Sequence, residues 1–427
     1  MKTWLPASKP SLWLLLSIIC AASMGWYISA IWSSNQPPGF SDLYAPWWGA
    51  HELVRHGRNP YSPAVAHEIQ NVIYGQPSAA TPDDPLGMGG GFAYPLHAAF
   101  LLWPTVFLSF PDARLVVLSA SLLATLLSVE CWLRSLQMKV TFNLWLTLAF
   151  FVLGSFPCLE ALKLQNLSLI AAALISFALF LLSAGRLTFA GILLAFATFK
   201  PQFTATLIPW LVLWTAADWR RRRSLVWTFL ATLAVLLAAG EALLPGWTSG
   251  FLNVIRAYRH YTYGHSILDV WFTPTWGTAA AAVVLAACAV GCWPCRSEPA
   301  TSTRFWLVTS MVLGANVVVI PTLAPHAQLL LVPAFLCLLR YSAPKKPRVW
   351  VFYETAVWIL LAWQWIASLG LTLASLRYPT DVLRRFWEVP LYTSPLLPVA
   401  VFLLLASLLM GSEDPGRDGG AQRIVEG

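Results

Sequence analysis

The 427-residue chain is 58% hydrophobic and only 11% charged, with a mean hydropathy of +0.64. Soluble domains carry about 25% charged residues, so water is not the solvent for most of this surface. A surplus of 27 Lys and Arg over 19 Asp and Glu would suit nucleic acid if it formed one basic face. Instead the cations cluster in short loops between apolar runs, the positive-inside pattern of a membrane protein, which excludes a nucleic-acid partner.

In chain order, apolar runs of the roughly 20 residues needed to cross a bilayer are read at 11–32, 112–133, 140–157, 167–184, 224–244, 276–293, 305–321, 327–340, 350–374 and 394–411. The first follows Lys2 and Lys9 like a signal peptide. Its span length and lack of a small-residue cleavage site make it a retained span. Residues 94–110 form a short stretch broken by Pro104. Residues 187–217 would be about 46 Å long as one helix at 1.5 Å per residue, but Pro201 kinks or splits them. The expectation is an all-α polytopic protein of about twelve spans. It forms one domain over 1–411, with a disordered cytoplasmic tail at 412–427.

The clusters Arg220–Arg223 and Arg340, Lys345, Lys346, Arg348 are placed in the cytoplasm, and the four spans between them give matching parity. Residues 33–93, 245–272, 322–326 and 375–393 then lie outside. Two arrangements fit upstream. If 187–217 is a hairpin of half-helices and 94–110 is re-entrant, Leu159–Asn166 and Lys200 share the outer side. If 187–217 is one kinked helix, Leu159–Asn166 falls inside. The first is preferred because it gathers the polar motifs on one face.

The first outer loop is too long for a simple connector. In SDLYAPWWGAHELVRHGRNPYSP, Leu43, Trp47, Ala50 and Val54 recur at helical spacing while His51, Glu52 and Arg55 fall elsewhere, which describes an interfacial helix. Asp42 would stand at the water–lipid boundary. There it either takes a proton from an attacking hydroxyl or, with Ser41, caps the helix. Asp83 and Asp84 sit among prolines and glycines in a turn. No helix follows those glycines as in a phosphate-binding loop.

Lys200 is a lone cation among some thirty apolar residues, and an intramembrane cation with a phosphate as natural partner is a functional candidate; snorkelling is its plain alternative. Pro201 and Gln202 add a freed carbonyl and a polar group. LEALKLQN supplies Glu160, Lys163, Gln165 and Asn166 before a span, as a polar lining or an ordinary helix start. PGWTSGFLNVIRAYRHYTYGHS alternates aromatics with Arg256, Arg259, His260 and His265, suited to an anionic headgroup or to a bare interfacial helix. His326 stands at the mouth of a span. Cys292 and Cys295 form a close pair, but no second pair completes a zinc set.

These segments, in this order, resemble glycosyltransferase family 87, the DUF2029 group of polyprenyl-phosphate-dependent hexosyltransferases within the membrane GT-C superfamily. The resemblance runs from about residue 40 to 340 and is carried by SDLYAPWWGAHELVRHGRNPYSP, FAYPL with Pro104, LQNLSLIAAAL, AGILLAFATFKPQ with WLVLWTAADWRRR, and PTLAPHAQLLLVP. It implies a GT-C helical bundle whose first outer loop carries the catalytic acid, Asp42, acting as base in a metal-independent inverting displacement. No cofactor is implied. Lys200 falls on the family's Lys-Pro helix break and His326 near its last outer polar position, which makes both candidates for the donor phosphate together with Arg256 and Arg259. Tyr44, Tyr61, Tyr94, Gln165, Asn166 and Gln202 are the candidate substrate contacts. Leu164 replaces the glycine of a Gly-Gln-x-Asn-like motif, and Asn166 follows Gln165 directly. The implied partners are a polyprenyl-phosphate-linked sugar, mannose first, a lipid or glycan acceptor, and membrane lipids. The implied location is a bacterial inner membrane with the site facing outward. A flippase of a lipid-linked substrate and a lipid-linked-glycan ligase or polymerase are the rival readings.

Overall fold

The computed structural model describes residues 41–82, 84–261, 265–321, 324–340 and 348–411, with a few isolated positions before residue 41. The expected first span, Asp83 and the 412–427 tail lie outside the described residues. Among those residues no strand occurs, and helices follow one another from Tyr44 to Gly411.

Two helices, α1 (Tyr44–His56) and α2 (Pro63–Tyr74), fill the first loop. A short α3 (His97–Leu102) and a 3-10 turn at Trp103–Thr105 follow. The expected amphipathic helix is α1, with Leu43, Trp47, Ala50 and Leu53 buried. Glu52, assigned to the polar side, is buried as well, because its carboxylate is neutralised by Arg58 at 2.6 Å.

The bundle begins with α4 (Phe110–Ser135), started by Ser109, whose hydroxyl accepts from the Asp112 N–H, and by Pro111 in the first turn. Helix α5 (Phe142–Leu153) and α6 (Phe156–Lys163) meet at a 61° bend. A Cβ on Gly154 at that bend would lie 2.0 Å from the Trp365 ring, so only glycine fits. Helix α7 (Ser168–Ser183) packs between α4 and α8 (Leu187–Ala197), and α8 packs on α11 (Trp219–Leu243). At that contact a Cβ on Gly191 would stand 2.5 Å from the Leu225 carbonyl oxygen. Small residues that let backbones approach are how helices pack in lipid, where apolar burial adds no drive.

Pro201 splits 187–217 as the sequence predicts, giving α8, a single turn α9 (Pro201–Thr204) and α10 (Leu207–Ala217). Lys200 stands at φ −116, ψ 79, outside the helical region that a following proline disfavours. The hairpin arrangement is the one observed. At one end of the bundle Thr228 of α11 bonds the Thr188 carbonyl, and Arg222 bonds the carbonyls of Trp214, Arg296, Ser297 and Glu298. At the other end, Thr206 and the Gln202 carbonyl meet Asn316. The chain therefore climbs along α8, turns at Lys200 and descends along α10.

The remainder comprises α12 (Trp247–Tyr261), α13 (Ile267–Phe272), α14 (Pro274–Cys295), α15 (Thr303–Val319), a 3-10 segment at Pro325–Leu331, α16 (Val332–Arg340), α17 (Arg348–Ser375), α18 (Thr380–Thr393) and α19 (Leu396–Gly411). Residues 375–393, expected as a loop, are instead mostly helix, and Arg385–Leu409 is long and apolar enough to cross a membrane. Among the described residues five helices pass that test, and six if the bent α5–α6 pair is one span. Five shorter apolar helices accompany them. The expected count of about twelve is not established by these lengths.

Candidate active site

The loop entering α1 is fastened to the loop leaving α6 by the Asp42 N–H, which donates to the Leu164 carbonyl at 2.7 Å. Helix α6 ends in a Schellman motif. Asn166 N–H bonds the Ala161 carbonyl at 2.8 Å and Gln165 N–H that of Leu162 at 3.1 Å, with Gln165 left-handed at φ 50. Leu164, where the resemblance expects glycine, has φ −82 and needs none. The reversal that glycine usually supplies has moved one residue on, and it is this turn that aims Asn166 at Asp42.

Asn166 bridges two charges. Its Nδ2 donates to Asp42 Oδ2 at 2.6 Å. Its Oδ1 accepts from Lys200 Nζ at 2.5 Å, from the Ser168 N–H at 2.9 Å and from the Ser168 hydroxyl at 2.6 Å. Lys200 also donates to Ser168 Oγ at 2.6 Å. An ammonium only donates and a carboxylate only accepts, so the amide can face just one way. Lys200 is 4% exposed, yet among the described residues its hydrogen bonds go to neutral oxygens. A buried cation without a contacting carboxylate is costly in that form and well suited to an incoming anion.

Asp42 itself is exposed, and among the described residues only Oδ2 is engaged. It does not cap α1: that helix has no side-chain cap, and the nearby Leu43 N–H goes to Ser41 Oγ at 3.3 Å. Tyr94 completes the wall, its ring centroid 5.9 Å from Lys200 Nζ. Burial pushes the Tyr94 phenol well above its ordinary range, with Asp42 and Tyr258 adding to the shift, so the hydroxyl stays a donor.

The other candidates are dispersed around this cluster. Tyr61 is buried and supports Tyr94 by donating to its carbonyl at 2.8 Å while stacking on Trp247. Tyr44 packs against Trp48 and Phe110 and feels Glu68 and Glu52. Gln165 folds back onto the Lys163 carbonyl. Gln202 lends its carbonyl to Asn316 at 2.8 Å. Arg256 and Arg259 are exposed on α12, and Arg256 bonds Asn253 at 3.3 Å. His326 Nδ1 faces Glu160 Oε2 at 3.5 Å, and among the described residues neither atom has a hydrogen bond. Ser168 was missed by the sequence reading. Its only signal was a hydroxyl two residues after Asn166 at the start of an apolar helix.

An exposed carboxylate is thus held one carboxamide away from a buried ammonium in an all-helical, largely apolar protein. Residues 92–321 match the model of Glycosyltransferase family 87, and the chain belongs to that family. It is accordingly a membrane glycosyltransferase of the GT-C type, which sets the flippase reading aside. The matched segment contains Tyr94, Asn166 and Lys200 and excludes Asp42 and His326. No curated protein matches the chain. Similar solved structures are ArnT from Cupriavidus metallidurans bound to undecaprenyl phosphate (TM-score 0.44) and the same protein in the apo state (TM-score 0.35). Each is 14% identical, over 95% of this chain and 77% of the other.

Proposed function

We propose that the protein transfers a hexose, mannose first, from a polyprenyl-phosphate-linked donor to a lipid-linked or glycan acceptor. Transfer occurs at the outer face of a bacterial cytoplasmic membrane and inverts the anomeric centre. The observation that carries this reading is the Asp42–Asn166–Lys200 chain, in which base and cation are tied to one carboxamide but never touch. Had they paired directly, each would have cancelled the charge the other needs.

In this mechanism the acceptor hydroxyl hydrogen-bonds to the free oxygen of Asp42. As its oxygen forms the new bond to the anomeric carbon, the proton passes to Asp42 and the bond from that carbon to the phosphate oxygen breaks. The phosphate gains negative charge, which Lys200 is placed to stabilise in a site with little water. His326 and the Tyr94 hydroxyl are further donors to the phosphate or sugar. Arg256 and Arg259 contact the donor phosphate from α12. Gln202 lines the same end of the bundle.

Transfer of labelled mannose from mannosyl polyprenyl phosphate by the purified protein tests this. Asp42→Asn is expected to abolish transfer while donor still binds, and full activity in Asp42→Asn removes Asp42 as base.

A further inference from the structure

The C-terminal half of α1, HELVRH, ends at Gly57, whose φ of 63 turns the chain back. Its N–H bonds the Leu53 carbonyl, and Arg58 N–H bonds that of Glu52 at 3.0 Å. The reversal lays Arg58 over Glu52 and Glu68, with Nη1 on Glu52 Oε2 at 2.6 Å and Nη2 on Glu68 Oε1 at 2.5 Å. Glu52 is 2% exposed. With Oε2 taken by Arg58, its other oxygen faces two imidazoles, His51 Nδ1 at 3.3 Å and His56 Nε2 at 3.9 Å.

The His51 ring is fixed by stacking on Trp48, centroids 5.2 Å apart and planes within 12°, and Trp48 Nε1 is itself tied to Glu68 Oε2 at 3.1 Å. All three candidate ligand atoms lie within 4.8 Å of one another. Ligands about 2.1 Å from a tetrahedral zinc ion stand about 3.4 Å apart, so two of these spacings are within roughly half an ångström of that value. The two glutamates and Arg58 leave the cluster one negative charge in excess when both imidazoles are neutral, the form in which they ligate.

We propose that His51 Nδ1, Glu52 Oε1 and His56 Nε2 bind a divalent transition-metal ion of the zinc class. Arg58 and Trp48 act as the outer partners that orient carboxylate and ring. His56 is 54% exposed, so water completes the coordination from that side. Asp42 lies ten residues back along the chain, about 15 Å at the helical rise. The ion therefore does not touch the reacting atoms. It cross-links the last two turns of α1, and the site stands apart from the transfer reaction.

The test uses full-length protein carrying a histidine-free affinity tag, stripped with chelator and titrated with Zn2+. One zinc per chain is expected, with an X-ray absorption first shell of two imidazole nitrogens and oxygens at about 2.0–2.1 Å. His56→Ala should weaken binding more than the 10–100-fold typical of losing an outer partner. Because His56 is exposed, its zinc-free melting temperature and elution volume should match wild type, while added zinc raises the melting temperature of wild type alone. Wild-type affinity and stoichiometry in His56→Ala, or a first shell without imidazole, overturns the site.

Discussion

Asn166→Asp is the sharpest perturbation of the proposed active site because it changes charge without changing shape. The new carboxylate would sit 2.6 Å from Asp42 Oδ2 and 2.5 Å from Lys200 Nζ. Two like charges centred about 4 Å apart at an effective dielectric of 20 repel by about 4 kcal/mol, or about three pH units. One proton is therefore shared between the carboxylates at neutral pH, and the remaining charge pairs with Lys200. Base and cation are lost together. Mannosyl transfer from a polyprenyl phosphate donor in detergent micelles should fall by at least the roughly 10² to 10⁴ that a general base supplies, and recover only in part as pH rises over the following three units, because the base regains its charge while Lys200 stays paired. A structural role for Asn166 makes a different forecast, since aspartate still accepts from Lys200 and Ser168. Near-wild-type turnover with an unshifted pH profile refutes the reasoning.

Lys200→Met keeps the buried stem and removes the charge. Donor binding, read by titration with polyprenyl phosphate, should weaken by about 2–3 kcal/mol for a lost charge-assisted hydrogen bond, and unchanged affinity returns Lys200 to a packing role. Gln165→Gly relieves a left-handed non-glycine conformation and should stabilise the protein by about 1 kcal/mol, measured by thermal unfolding, with transfer retained. His97, in α3 and outside the apolar helices, is buried and holds Thr198 Oγ1 at 3.2 Å. Burial lowers its imidazole to about 4. Its contribution is complete above the unfolded value near 6.5 and is lost as pH falls from there to 4, a change of about 3 kcal/mol. His97→Gln should flatten the melting-temperature profile over that window, and an unchanged slope would exclude His97 as its source.

Lys200 stood out as an ionisable residue in a thirty-residue apolar run, and Asp42 as the carboxylate at the head of an interfacial helix in the loop the resemblance marks. The split at Pro201 was legible for the steric reason that acts on Lys200. The link between them was not, since Asn166 is 124 residues from Asp42 and 34 from Lys200, and no periodicity reports contacts at that separation. Glu52 was misassigned because period alone cannot foresee an arginine six residues on that folds back to neutralise it. The helix at Thr380–Thr393 was missed because its polar residues and Pro390 mask a run that joins the following apolar stretch. Arg256 and Arg259 were marked by an alternating pattern that defines an exposed helix face equally well.

The central claim is that the donor's phosphate lodges on Lys200 within reach of Asp42, and a structure of the protein with polyprenyl phosphate bound tests it most directly. A phosphate oxygen is expected at hydrogen-bond distance from Lys200 Nζ, on the same end of the bundle as the Asp42 carboxylate. A phosphate held elsewhere, with Lys200 still bonded to Asn166 and Ser168 alone, would contradict it.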